Sequence, residues 1–215
     1  MKTFFIIPVK RFENSKTRLS SMVGAEERIR LAGLMLDDTL ATLKAVGSPL
    51  LVVSGDMRAK EIAESHGARF IREEKDSGVN SAVALANRYC VGEGDADASV
   101  VVPQDLPLLN VKDINTVIGA AKKEKKGIVV CPSLRYDGTN VLLRRPADVI
   151  RTHYDNNSYE MHLKSASDAG VNAQVMKLER LMFDIDTPED VTQIARMENV
   201  TAKATASFLK SCRAS

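Results

Sequence analysis

The chain has 215 residues, of which 44% are hydrophobic and 27% charged, with a formal net charge of +2 at pH 7. This is the composition of a globular protein long enough to bury a sizeable core, falling between one and two domains on length alone. The near-neutral balance speaks against a dedicated nucleic-acid surface, no stretch approaches a membrane span, and with no Pro/Gly/Ser-rich linker or composition break the expectation is one domain over 1–215.

The first apolar run, Phe4 to Val9, lacks polar alternation, as a parallel strand covered on both faces should. It stops at Lys10-Arg11 with no small-residue cleavage site, so a strand is expected there rather than a signal peptide. The loop that follows, Lys10 to Arg18, carries four cations in nine residues. A loop after a parallel strand lies at the carboxyl edge of the sheet, where open α/β sheets bind their ligands. There is no Walker-type glycine loop with a lysine, so any phosphate bound here would be held by side-chain cations such as Lys16 and Arg18. A solvated basic loop has the same composition.

From Ala25 to about Val46 a helix is predicted, with Ile29, Ala32, Leu36, Leu40 and Leu43 on one face and Glu26 and Glu27 in its first turn. A second strand, Leu50 to Val53, is followed by helices at Arg58 to Ser65 and Asn80 to Tyr89, and a third strand runs from Ser99 to Val102. That strand leads into Pro103-Gln104-Asp105-Leu106-Pro107-Leu108. Prolines on both sides restrict the backbone and remove donors, so the Asp105 carboxylate is held in one direction at the carboxyl end of a strand. A hard carboxylate so placed suits magnesium shared with phosphates. The same residues also suit an ordinary strand-to-loop turn.

A helix from Val111 to Lys123 ends in the Lys122 to Lys126 cluster, which suits the helix dipole and needs no further role. Ile128 to Cys131 is a fourth buried strand, and the βαβ series to this point predicts a doubly wound α/β architecture with right-handed crossovers. Asp137-Gly138 is a hairpin-type turn leading into Asn140 to Leu143, so at least one antiparallel strand should join, making a mostly parallel mixed sheet flanked by helices. Then follow a helix near Tyr159 to Ala169, strands near Ala173 to Met176 and Leu181 to Ile185, and a helix from Pro188 capped by Thr187. A helical tail is expected from about residue 200 to Cys212.

Residues two apart on a strand point the same way, so Asp184 and Asp186 should present both carboxylates to one side with Ile185 opposite. Two such charges repel unless a cation sits between them. Asp137 to Asn140 and Asn156 to Ser158 are clusters of small donors, suited to an anionic ligand or to plain turns. Cys90, Cys131 and Cys212 are in no metal-ligand spacing and read as reduced thiols of a cytoplasmic protein. His66, His153 and His162 have no nucleophile pattern nearby and read as structural or surface groups. His162, four residues after Ser158, is the one placed to touch a site.

Together Pro8-x-Lys10, Lys16-Thr17-Arg18-Leu19, Gly78-Val79-Asn80-x-Ala82, Pro103 to Leu108, Asp137 to Asn140 and Asp184-Ile185-Asp186-Thr187-Pro188 resemble the motif series of the 2-phospho-L-lactate guanylyltransferases, enzymes of coenzyme F420 biosynthesis with a glycosyltransferase-A-like nucleotidyltransferase fold. The order and spacing fit from near residue 5 to near residue 195. The resemblance implies that Lys10, Lys16 and Arg18 hold the GTP triphosphate, that Gly78 to Asn80 lie beside the nucleoside, and that Lys16, Arg18 and Asp105 serve catalysis. It further implies Mg²⁺ on Asp105, Asp184 and Asp186, a phosphorylated three-carbon acid at Thr139, Asp155 and Ser158, and a homodimer. Asp155 stands where relatives have glycine, and Val79 where leucine is usual, so the acceptor pocket departs most from the pattern. Phosphoenolpyruvate as acceptor, a different nucleotide base, and a non-catalytic nucleotide-binding regulatory domain are the competing readings.

Overall fold

The computed structural model describes residues 1–154 and 157–212. Asp155, expected in the acceptor pocket, lies outside the described residues. In chain order the strands are β1 (Thr3–Pro8), β2 (Leu50–Ser54), β3 (Arg69–Arg72), β4 (Ala98–Val101), β5 (Gly127–Pro132), β6 (Thr139–Arg145) and β7 (Asn172–Val175). They form one sheet in the order β3-β2-β1-β4-β6-β5-β7. All neighbours are parallel except β6, which runs antiparallel to both β4 and β5. The expected mixed sheet with an antiparallel strand after Asp137-Gly138 is therefore present.

Alternate residues of each central strand feed two cores, which is why no polar alternation was visible. Phe5, Ile7 and Val52 pack against Leu36 and Leu40 of α1 (Ala25–Lys44), with α2 (Met57–Ser65) and α4 (Val111–Ala121) on the same face. Phe4, Ile6 and Val53 pack on the other face against Ala82 and Val83 of α3 (Val79–Gly92) and Ala166 of α5 (Ser158–Asp168). Each such side chain contributes about 1.5–3 kcal/mol of hydrophobic stabilisation when fully buried. The Lys122 to Lys126 run is exposed beyond the end of α4, as expected of a helix terminus.

Two elements depart from expectation. β3 was not foreseen: it is a four-residue edge strand whose apolar pair, Phe70 and Ile71, is bracketed by Arg69 and Arg72. Charged ends on a short edge strand discourage pairing with another chain and also hide the strand from a hydrophobicity pattern. The expected strand over Leu181 to Ile185 is instead a short turn of helix, α6 (Glu179–Met182), followed by extended chain outside the sheet. Loop and side-chain partners take up this segment's backbone groups in place of a ladder. The carbonyls of Leu181 and Met182 accept bonds from the Asn140 amide, both at 3.0 Å, and the Ile185 N–H donates to the Asp105 carbonyl at 3.1 Å.

Phe183 and Ile185 are thereby delivered to a third core formed by Leu31 and Met35 of α1, Val191 and Ile194 of α7 (Pro188–Arg196), and Phe208 and Leu209 of α8 (Lys203–Cys212). The helical tail is thus a packed element: Thr205 N–H donates to Asp38 at 2.8 Å and Arg30 lies over the Phe208 ring. Thr187 and Asp190 cap α7 reciprocally, Thr187 N–H donating to the Asp190 carboxylate at 2.7 Å.

Candidate active site

A cleft of about 800 Å³ opens over the carboxyl ends of β1 and β4 and the amino end of β6. Lys10, Lys16, Arg18, Asp105, Thr139, Ser158, Asp184 and Asp186, widely separated in sequence, all line it. So does Val79, flanked by Gly78, which starts α3 with φ 89°, and by Asn80, whose carboxamide oxygen accepts the Tyr154 N–H at 2.8 Å.

The basic loop is built from two short 3-10 turns, Phe12–Asn14 and Thr17–Leu19, each nailed down by one buried apolar side chain, Phe12 and Leu19. Between them Lys16 adopts a left-handed backbone, φ 51° and ψ 36°, a conformation costing a non-glycine residue about 1–2 kcal/mol. The strain is compensated by what the side chain reaches. Its ammonium lies 2.5 Å from Asp105 and 2.8 Å from Asp186, with 7% of the side chain exposed. Burial alone would depress the ammonium, but the two carboxylates override it and hold Lys16 well above the ordinary lysine range. Arg18 lies 3.6 Å from the other oxygen of Asp186 with 71% of its side chain exposed, and Lys10 is exposed at the rim, so both are free to meet a ligand in solvent.

Three carboxylates meet at this end of the cleft. The Asp105 carbonyl holds Ile185 between the other two, and Asp186 is set by its N–H donating to Asp190 at 2.9 Å. Burial pushes Asp186 upward, yet Lys16 beside it keeps its carboxyl below the usual range. Asp184 is different: burial, then the negative charge of Asp105 and Asp186, raise its pKa to about 6, and the Asn140 amide approaches it at a long 3.4 Å. The repulsion expected between Asp184 and Asp186 is therefore relieved on one side only. The cation found between Asp105 and Asp186 is Lys16, and among the described residues no three acidic, histidine or cysteine side chains group as a metal site unaided.

Also lining the cleft are Thr139, at the start of β6, and Ser158, at the start of α5, 6% and 3% exposed. The Thr139 N–H donates to Ser158 Oγ at 2.7 Å, and Thr139 Oγ1 lies 3.0 Å from His162 Nδ1. His162 Nε2 accepts the His153 N–H at 2.9 Å. Burial, reinforced by the charges of His153 and Arg144, pushes the His162 pKa down to about 3, so the ring is a neutral structural group. His66 is likewise engaged, 2.7 Å from Asp37.

Two contributors escaped the sequence. Asn140 aims α6 and approaches Asp184, a role invisible without the fold although the residue itself was in a noted cluster. Arg135, 3.5 Å from Asp190, adds a cation to the cleft from the β5–β6 loop, where the sequence shows only an ordinary turn.

From residue 3 to residue 215 the chain matches the family described as guanylyl transferase CofC like. The 2-phospho-L-lactate guanylyltransferase of Methanobrevibacter smithii is 31% identical over 189 residues, covering 88% of this chain and 82% of that protein. The phosphoenolpyruvate guanylyltransferase of Conexibacter woesei is 30% identical over 199 residues, covering 92% and 89%. Among solved structures, one described as a nucleotide-diphospho-sugar transferase from Desulfovibrio desulfuricans superposes with a TM-score of 0.79 at 18% identity, over 99% of this chain and 96% of that one. That last likeness establishes the shared α/β fold.

Proposed function

Because the chain belongs to the CofC-like guanylyl transferase family, we propose that it transfers GMP from GTP to 2-phospho-L-lactate with release of pyrophosphate, as a step of coenzyme F420 biosynthesis. The observation that carries this reading is what the one cleft brings together: the cation-carboxylate cluster of Lys16, Asp105 and Asp186, and two buried hydroxyls, Thr139 and Ser158. A triphosphate needs cations and carboxylate-held metal, and a phosphorylated acid needs donors.

The acceptor is a phosphate monoester, largely dianionic at neutral pH because its second pKa is about 6. One of its oxygens attacks the α-phosphorus of GTP, a new P–O bond forms, and the bond to the β-phosphate bridging oxygen breaks to free pyrophosphate. No base is required to remove a proton, which fits a site whose nearest histidine is buried and neutral. What remains is to align two anions and neutralise growing charge. Arg18 and Lys10, exposed on the rim, are placed for the triphosphate, while Lys16 fixes the direction of Asp105 and Asp186.

Magnesium suits the all-oxygen donor set of Asp105, Asp184 and Asp186, in which Lys16 pairs with Asp105 and Asp186 and Asp184 receives one long bond from Asn140. Held there by Asp105, Asp184 and Asp186, it would supply charge neutralisation to the phosphates. A homodimer in the cytoplasm belongs to the same reading by family resemblance, and the free thiols of Cys90, Cys131 and Cys212 accord with a reducing compartment.

Phosphoenolpyruvate is the second acceptor to weigh, because relatives bearing either name match this chain almost equally, 31% against 30%. The two acids differ at the carbon between phosphate and carboxylate, tetrahedral in one and planar in the other, a difference worth only ~1–3 kcal/mol to a binding site. Mass spectrometry of the products formed from GTP, Mg²⁺ and each acid decides the matter. Guanylylated phospholactate with pyrophosphate, and slower use of phosphoenolpyruvate, is the expected result. A reversed preference would transfer the assignment to phosphoenolpyruvate, and no product with either acid would overturn it.

A further inference from the structure

We propose that His162 is a positioning residue that fixes the Thr139 hydroxyl, with Ser158 beside it, as an outward-pointing donor for the phosphorylated acceptor. The inference rests on the functional reading above for the identity of that acceptor, and on hydrogen-bond bookkeeping for everything else.

A neutral imidazole has one N–H. His162 Nε2 faces a backbone N–H, that of His153 at 2.9 Å, and a peptide N–H can only donate. Nε2 is therefore the acceptor and the proton resides on Nδ1, which donates to Thr139 Oγ1 at 3.0 Å. With its oxygen occupied from inside, the Thr139 hydroxyl turns its own proton elsewhere, and the residue lines the cleft. The same logic applies one bond away: Ser158 Oγ accepts the Thr139 N–H at 2.7 Å, leaving its hydroxyl proton to be donated in turn. Each oxygen thus accepts one bond from within the protein and keeps its own proton available to give, as an anion requires. An imidazolium could not do this, because its Nε2–H would confront the His153 N–H. Full burial of the ring, with the Tyr154 ring edge-on at 5.0 Å between centroids, keeps it in that state.

The consequence is selective. Losing the His162 donor should leave the GTP end intact and weaken the acceptor end alone. His162→Leu is expected to lower kcat/KM for the acceptor about tenfold, the scale of one hydrogen bond, with KM for GTP unchanged. His162→Gln should restore most of the loss, since its carboxamide also presents a donor and an acceptor on one carbon. Adding Thr139→Val to His162→Leu should cost nothing beyond Thr139→Val alone, because the first residue acts only through the second. A loss in His162→Leu that appears equally in KM for GTP, or that Gln fails to rescue, or that adds fully to Thr139→Val, would overturn the proposal. Imidazole NMR of the native, ligand-free protein tests it without any variant: the His162 ring should be protonated at Nδ1 and bare at Nε2 at neutral pH, and the opposite tautomer or an imidazolium refutes it. If neither acid is used by the native protein, the functional reading falls, while the tautomer still decides this one.

Discussion

At the scale of single residues, the cations of the basic loop have different duties although they sit in one run of sequence. Lys16 is buried between two carboxylates and Arg18 is mostly exposed beside one. Lys16→Met should therefore cost both stability and turnover, because Asp105 and Asp186 are left facing each other without a counter-charge; breaking a buried pair in this way costs about 3–5 kcal/mol. Arg18→Ala should lower the melting temperature by no more than about 4 °C while lowering kcat, since an exposed ion pair contributes about 0–1 kcal/mol to folding but the guanidinium meets growing charge on the departing pyrophosphate. Thermal melts set beside steady-state rates separate the two, and equal melting temperatures for both variants would deny Lys16 its structural part. Asp105→Asn belongs with them: a folded protein without turnover is expected, and near-normal rates with Mg²⁺ would remove Asp105 from the centre.

At the scale of elements, the site depends on a segment that is neither strand nor long helix. α6 and the extended chain after it are held by Asn140, by the Leu134 N–H donating to the Met182 carbonyl at 2.9 Å, and by the bidentate pair of Arg180 with Asp113 at 2.7 Å. Asn140→Ala removes the donor shared by the Leu181 and Met182 carbonyls; Met182 keeps the Leu134 N–H, while Leu181 loses its Asn140 bond, a buried one, at about 1–3 kcal/mol. For a chain of this length that is a melting temperature lower by roughly 2–4 °C per kcal/mol. Activity should fall further than the stability loss explains, because Asp184 loses the amide that faces it. A variant with lowered stability but full kcat would show that the segment finds its place without Asn140.

At the scale of the whole molecule, two buried groups give folding a pH signature of opposite signs. His162 stays neutral down to about pH 3 when folded against an ordinary 6.5, so below 6.5 the unfolded chain binds the extra proton and stability declines as pH falls toward 3. Asp184 titrates at about 6 when folded against the usual 3.8, so between those values the folded state holds the extra proton and stability grows as pH falls. From about pH 6 to 4 these two contributions therefore oppose each other, and below that only the His162 decline continues. In His162→Gln the His162 contribution is removed while that of Asp184 stays. Urea unfolding at pH 7 and 4.5 should show the variant gaining on the native protein by about 2–3 kcal/mol at the lower pH, two pH units at about 1.4 kcal/mol each. Identical pH dependence in both would mean that His162 is not held neutral by the fold.

The sequence by itself determined the periodic and the conformationally constrained parts: the buried strands from their unbroken apolar runs, the long helix α1 from its face, the antiparallel turn at Asp137-Gly138, the cap at Thr187, and the aspartate fenced by Pro103 and Pro107. These are legible because each is enforced by residues within a few positions of one another. The tertiary structure alone decided the rest. β3 is a strand only because β2 supplies its ladder, and Leu181 to Ile185 leaves the sheet only because Asn140, some forty residues earlier, offers its carbonyls a better partner. That Lys16 spans Asp105 and Asp186, that Asp184 is left in want of charge, and that His162 serves Thr139 through one nitrogen are facts of side chains converging from distant strands and loops. No local spacing encodes such convergence, because partner choice there is set by burial and by which donors remain unpaid once the backbone has folded.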